Sequence, residues 1–186
     1  MKEVVCLVRD NVKNNQKDDA KKKSPMNPIQ IFLFNFLTVI FLLWLLFGIV
    51  IGVVNAPNDD MFPGIKTRDL LVYYRLDHSY HAQDIVVLVK NDTVYIGRIV
   101  AVSGDSVDIS DSERPVINGN MVSEPHIYNN TPRFQGFLEY PVQLYNNEYF
   151  VLCDARSGSE DSRYYGKVSS DEICGKVLLL VRRNNL

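Results

Sequence analysis

No charged side chain stands between residues 29 and 54, a stretch reading IQIFLFNFLTVIFLLWLLFGIVIGVV. At about 1.5 Å per residue, such a run as a helix is long enough to cross a hydrocarbon core of roughly 30 Å. It also exceeds the roughly 7–15 apolar residues of a secretory signal core, and no Ala-x-Ala site follows it, which argues against a cleaved signal peptide. A basic excess is missing as well: Lys and Arg total 20 against 22 Asp and Glu, a formal net charge of −2. Without a basic face there is nothing to release counterions from a phosphate backbone, so nucleic acid is excluded as a partner class. Cysteine is scarce, with only Cys6, Cys153 and Cys174. Three thiols build no disulfide framework; Cys153 and Cys174 are either bonded to each other or free and buried. There is no internal repeat, and beyond residue 54 helical periodicity is nearly absent.

What is present sets a topology. Lys2, Arg9, Lys13, Lys17, Lys21, Lys22 and Lys23 precede the apolar run, whereas Asn55, Ala56, Pro57, Asn58, Asp59 and Asp60 follow it. Lysine and arginine resist translocation, so the N-terminus is expected inside, with Cys6, and everything after the run outside. The expected organisation is a cytoplasmic tail at 1–28, a transmembrane helix at 29–54 and an extracellular domain at 55–186 of a single-pass cell-membrane protein.

That domain reads as mainly β. Short β-branched runs broken by polar turns predict strands at 70–74, 84–90, 93–102, 106–109, 116–118, 148–153 and 173–182. Only Asn91 and Asp92 separate Lys90 from Thr93, and both tolerate positive φ, which predicts a tight hairpin; Asn118-Gly119 marks a second turn. Residues 123–143 carry Pro125, Pro132, Pro141 and Gly136 without a sustained period and read as an irregular excursion.

Four segments in order resemble the motifs of the type I signal peptidases, membrane-anchored serine proteases with a lysine general base. Pro57-Asn58-Asp59-Asp60-Met61-Phe62-Pro63 resembles the nucleophile motif Pro-Ser-x-Ser-Met-x-Pro, and Gln83-Asp84-Ile85-Val86-Val87-Leu88 resembles the strand Gly-Asp-Ile-Val-Val-Phe. Residues 95–107, from Tyr95-Ile96-Gly97-Arg98 to Gly104-Asp105-Ser106-Val107, resemble Tyr-x-Lys-Arg-x-x-Gly-x-Pro-Gly-Asp-x-Val. Asp154-Ala155-Arg156-Ser157-Gly158-Ser159-Glu160-Asp161-Ser162-Arg163 resembles Asp-Asn-Arg-x-x-Ser-x-Asp-Ser-Arg, the most specific of the four. The resemblance implies a signal-peptidase-like antiparallel β domain following one N-terminal transmembrane helix.

Against those motifs, Asp60 stands at the nucleophilic serine, Gly97 at the general-base lysine and Asn58 at the oxyanion-hole serine. A serine hydroxyl attacks an amide only when a base takes its proton, and Gly97 has no side chain to do so. Carboxylate hydrolysis usually pairs two carboxylates, and Asp59, adjacent in an extended segment, is expected on the opposite face from Asp60. The expectation is therefore no catalytic residue and no enzyme activity, with a membrane protease using another nucleophile as the alternative.

The chain further resembles the catalytically degenerate signal-peptidase-like proteins of streptococcal pilus loci. That likeness implies binding of a translocated pilin precursor, or of sortase, during pilus polymerisation. The implied binding cleft comprises Ala56, Pro57, Asn58, Asp60, Met61, Thr93, Val94, Tyr95, Ile96 and Gly97, and the implied structural ion pairs are Arg98 with Asp154 and Asp161 with Arg163. His78-x-x-His81 with Asp77 and Asp84 reads as a polar turn rather than a metal clip, so no metal and no cofactor is expected.

Overall fold

The computed structural model describes residues 27–134, 136 and 138–182. The basic residues from Lys2 to Lys23, and Cys6, lie outside the described residues.

Helix α1 spans Pro28–Leu45, and a π-helical turn, Leu46–Val50, carries the chain on. Its large apolar side chains stand exposed, and the span Pro28–Val50 is long and apolar enough to cross a membrane. The helical stretch ends at Val50 and not at 54: Ile51–Asn55 is strand β1, correcting the expected helix boundary. The reason is tertiary. Ile51, Val53 and Val54 are β-branched, and β1 pairs antiparallel with β2 (Leu70–Tyr74), Ile51 opposite Tyr74 and Asn55 opposite Leu70. A side chain at residue 52 would collide with the ring of Tyr73, so this pairing requires Gly52.

The chain from Leu43 onward forms a compact unit of its own. Its remaining strands are β3 (Ile85–Lys90), β4 (Thr93–Ala101), β5 (Ser106–Ile109), β6 (Pro115–Ile117), β7 (Asn120–Met121), β8 (Val142–Gln143), β9 (Glu148–Leu152), β10 (Val168–Ser169) and β11 (Ile173–Val181). Among the described residues they make two antiparallel sheets, one ordered β1-β2-β11-β3-β4-β9-β10 and the other β7-β6-β5-β8. The mainly β, antiparallel expectation holds. Between Lys90 and Thr93, Asn91 and Asp92 adopt φ of 50° and 60°, the pair of positive values a two-residue primed turn demands. Asn118 at 52° and Gly119 at 78° turn β6 into β7 in the same way.

Strand alternation divides the core. Ala56, Met61, Ile65, Leu71, Tyr73, Val87, Ile96 and Cys153 form one cluster, while Val86, Leu88, Ile99, Tyr149 and Val151 pack with others in a second. Successive residues of β3 and β4 thus go to different clusters, which places Ile96 with the first and Val151, the neighbour of Gly97, in the second.

Candidate functional site

After β1 the chain is stitched down before it reaches Asp60. Ala56 N donates to Asp69 O at 2.8 Å and Arg68 N donates to Ala56 O at 2.9 Å, so both backbone groups of Ala56 are taken. Asp59 turns away and accepts from Thr67 N at 2.7 Å; that bond holds its carboxyl below the usual range. Asp60 has separate partners. Asn58 Nδ2 donates to its Oδ2 at 2.6 Å, Asp60 N donates to Asn58 Oδ1 at 3.3 Å, and its carbonyl accepts from Ala155 N at 2.8 Å. Burial pushes the Asp60 carboxyl up; hydrogen bonding from Ser159 and Asn58 opposes this, and the nearby carboxylates of Asp161 and Glu160 reinforce it. A half-buried acid with a raised pKa beside an amide and a hydroxyl is equipped to exchange a proton.

Strand β4 supplies the other side. It pairs with β3 over its full described pairing, from Thr93 opposite Lys90 to Arg98 opposite Ile85, but β9 joins its other edge only from Arg98, opposite Leu152. Thr93 to Gly97 therefore present one edge without a strand partner. Thr93 and Val94 are exposed; Tyr95 is half-buried, donates to Glu160 Oε2 at 3.2 Å and packs its ring tilted against that of Tyr165, centroids 4.8 Å apart. Ile96 is buried against Ala56 and Met61, which brings the two sequence-predicted cleft segments together. Of those cleft residues, Ala56, Met61 and Ile96 pack inward as apolar floor, while Pro57 and Asn58 stand open. Gly97 is buried opposite Val86, and a Cβ there would lie 2.5 Å from Val151 Cγ1 and 3.3 Å from Leu152 O.

Beneath the floor lies a set of charges, of which Asp161, Arg163 and Arg156 have no solvent access and Arg98 and Asp154 little. Arg98 meets Asp154 through two bonds, Nε to Oδ1 at 2.9 Å and Nη2 to Oδ2 at 2.7 Å. Asp161 accepts from Arg163 Nε at 2.9 Å and Nη2 at 2.8 Å, and also from Cys153 N at 3.1 Å. It caps α2 (Ser162–Tyr165) by accepting from Arg163 N. Sequence reasoning did not assign Arg156. Fully buried, it donates to Cys153 O at 2.7 Å, Thr131 Oγ1 at 2.7 Å and Glu124 Oε1 at 2.6 Å. Its place in the fourth motif was the available signal; Glu124, in the irregular excursion, had none. Ser159, likewise inside that motif, was not singled out either.

Cys153 is buried and Cys174 half-buried, both as free thiols. Burial, with the carboxylates of Asp161 and Asp60 nearby, pushes the Cys153 thiol up, which makes it a poor nucleophile. At the His78 turn, Asp77 accepts from Ser79 N at 2.9 Å and Asp84 from His81 N at 3.0 Å, the work of a turn. Among the described residues no three His, Cys, Asp or Glu side chains are grouped to hold a metal ion.

An apolar helix followed by two antiparallel sheets, with an open β4 edge beside the loop of residues 56–61, matches a known class. The chain belongs to the signal peptidase, peptidase S26 family, whose model matches residues 29–181. It is 34% identical over 119 residues to Signal peptidase I S of Bacillus subtilis (strain 168), covering 58% of this chain and 64% of that protein. Probable signal peptidase I-2 of Synechocystis sp. is 30% identical over 137 residues, 66% of this chain and 59% of that protein. Among solved structures, a signal peptidase I from Enterococcus faecalis V583 is similar at 28% identity and a TM-score of 0.45, covering 54% of this chain and 97% of that one. The chain thus matches less than two thirds of the length of these curated relatives.

These relatives overturn the expectation that the chain is not an enzyme: they are named as signal peptidases, which are peptidases. The departures at Asp60 and Gly97 bear on one way of activating a nucleophile, and that is too narrow a ground to exclude hydrolysis.

Proposed function

We propose that this chain is a membrane-anchored peptidase of atypical site, which takes an extended segment of a translocated protein along the free edge of Thr93 to Gly97 and cleaves it over Asp60. The observation that carries this reading is the edge of β4 that β9 leaves unpaired, packed through Ile96 against Ala56 and Met61 of the Asp60 loop. Unpaired strand groups bind an added strand through main-chain hydrogen bonds, which fixes register without demanding particular side chains. Membership of a peptidase family supports hydrolysis as the reaction.

In this reading the ionised Asp60 carboxylate takes a proton from a water molecule as its oxygen bonds to the scissile carbonyl carbon. The carbon–nitrogen bond then breaks, and the proton on Asp60 passes to the departing amine. Asn58, bonded to the same carboxylate, orients it. Burial is what makes Asp60 basic enough for the task. Asp60→Asn should lower kcat on a signal-peptide substrate by about 10²–10⁴-fold with little change in KM. Undiminished turnover by that variant eliminates Asp60 as the base.

In this reading the span Pro28–Val50, long and apolar enough to cross a membrane, anchors the protein in the bilayer, and the lysines before it support a cytoplasmic N-terminus with the β unit outside. Protease added to intact cells stripped of their wall should digest the β unit. Protection of that unit, with loss of the first residues alone, reverses the topology. Pilin precursors, handled together with sortase, are the specific clients implied by the resemblance to pilus-locus proteins. A pilin-derived peptide in the same cleavage and binding assays tests that choice.

A further inference from the structure

We propose that the cavity walled by the excursion between β7 and β8 binds a single neutral sugar residue. Its volume is about 220 Å³, and Glu113, Arg114, Glu124, Tyr128, Asn129 and Asn130 are among the residues lining it. No residue assigned to the cleft lines it, so the proposal stands apart from the reading of Asp60 as base. The cavity is smaller than the roughly 300–1,000 Å³ of sites for drug-sized ligands, which limits its occupant to one small unit. Its walls are fixed by the fold. Val122 N donates to Pro115 O at 3.0 Å, Thr131 N to Glu113 O at 2.8 Å and Ile127 N to Glu124 O at 3.0 Å, tying the excursion to the start of β6 and to itself. Arg156, without solvent exposure, donates to Thr131 Oγ1 at 2.7 Å and to Glu124 Oε1 at 2.6 Å, so one buried guanidinium pins two lining residues.

The chemistry of the lining selects the ligand. The Glu124 side chain is only 8% exposed, and no described residue donates to its second oxygen, Oε2. Among the described residues, the sealed side-chain atoms without a partner are the hydroxyls of Tyr80 and Tyr140, so Oε2 is open to a donor entering the cavity. An acceptor this nearly buried is costly to leave unpaired. Charge, however, is balanced: Arg156 neutralises Glu124, while Glu113 and Arg114 are of opposite sign. An ammonium ligand meets Arg114, and a phosphate or carboxylate meets Glu113. A neutral molecule is left, and it needs groups that both donate and accept, because Glu124 only accepts, Arg114 only donates, and Asn129 and Asn130 do both. Sugar hydroxyls are such groups. Tyr128, 82% exposed, adds an aromatic face at the rim, suited to the apolar C–H face of a sugar ring.

The test uses the full chain in a zwitterionic detergent that carries no sugar headgroup. Glucose, N-acetylglucosamine and the trisaccharide of N-acetylglucosamine are titrated separately, and binding is followed by saturation-transfer NMR of the sugar protons. At the efficiency usual for small ligands, a sugar of about 12 heavy atoms has a Kd in the millimolar range. Saturation transfer to at least one of the three across that range is the expected result; transfer to none of them, the cavity holding water alone, overturns the proposal. Transfer to a monosaccharide supports a free sugar as the source, and transfer to the trisaccharide alone supports the end of a glycan chain. Tyr128→Ala, at an exposed position, should raise the Kd roughly 2–10-fold, and Asn130→Ala should raise it as well. Tyr145→Ala, equally an exposed ring but outside this cavity, should leave the Kd unchanged. Binding that neither Tyr128→Ala nor Asn130→Ala weakens, or that Tyr145→Ala weakens as much, overturns the cavity as the site.

Discussion

Asp161→Ala should unfold at a much lower temperature than the wild type, with a loss of about 3–5 kcal/mol. Asp161 and Arg163 both have no solvent exposure, and their carboxylate–guanidinium contact is bidentate at 2.9 and 2.8 Å. Removing the acid leaves a buried cation with Pro132 O and Arg156 O as its acceptors, neither of which neutralises it. The same substitution frees Cys153 N, which sits directly before the Asp154 partner of Arg98. Damage therefore spreads to the floor of the cleft. Arg163→Met added to Asp161→Ala should recover part of the loss, because the uncompensated charge goes with it. Thermal melts and urea titrations of the two variants and their combination in detergent make the measurement. A melting temperature for Asp161→Ala equal to that of the wild type would show that the pair does not hold the fold.

Much of this framework was legible in the sequence because strand patterns and turn chemistry are local. The runs at 70–74 and 106–109 coincide with β2 and β5, and the predicted strand at 93–102 with β4 to within one residue. Asn91-Asp92 announces its hairpin because no common alternative satisfies two positive φ values in succession. What stayed hidden depends on partners far along the chain. Residues 51–54 are as apolar as the helix before them, and only the strand at 70–74 pulls them into a sheet. The short strands β8 and β10, two residues each, offer no period to read. Glu124 becomes the counter-ion of Arg156 across 32 positions of sequence, which no local pattern encodes. The expectation about activity failed for a different reason. Matching motifs tests whether one pair of groups is present, and it was relatives named as signal peptidases, not any single residue, that overturned that expectation.

The double substitution Asp60→Ser with Gly97→Lys, which writes the resembled family's residues into both positions, should cleave signal peptides more slowly than the wild type and should also be less stable. Asp60→Ser removes the carboxylate assigned here as base. At residue 97 a first side-chain carbon would lie 2.5 Å from Val151 Cγ1 and 3.3 Å from Leu152 O. Val151 cannot yield cheaply, since it is β-branched, fully buried and packed in the cluster with Val86 and Ile99. Forcing a stem into that space costs about 1–3 kcal/mol through displaced strands, and it displaces the amine with them. Proton transfer between two side chains tolerates misplacement of only roughly 0.5 Å, so a displaced amine is of little use. Shortening the obstacle isolates the cause: Val151→Ala added to the double variant should restore a good part of its melting temperature, even where cleavage remains low. Turnover by the double variant above that of the wild type would refute the role given to Asp60 and the obstruction by Val151 together. Recovery of stability without Val151→Ala would refute the obstruction alone.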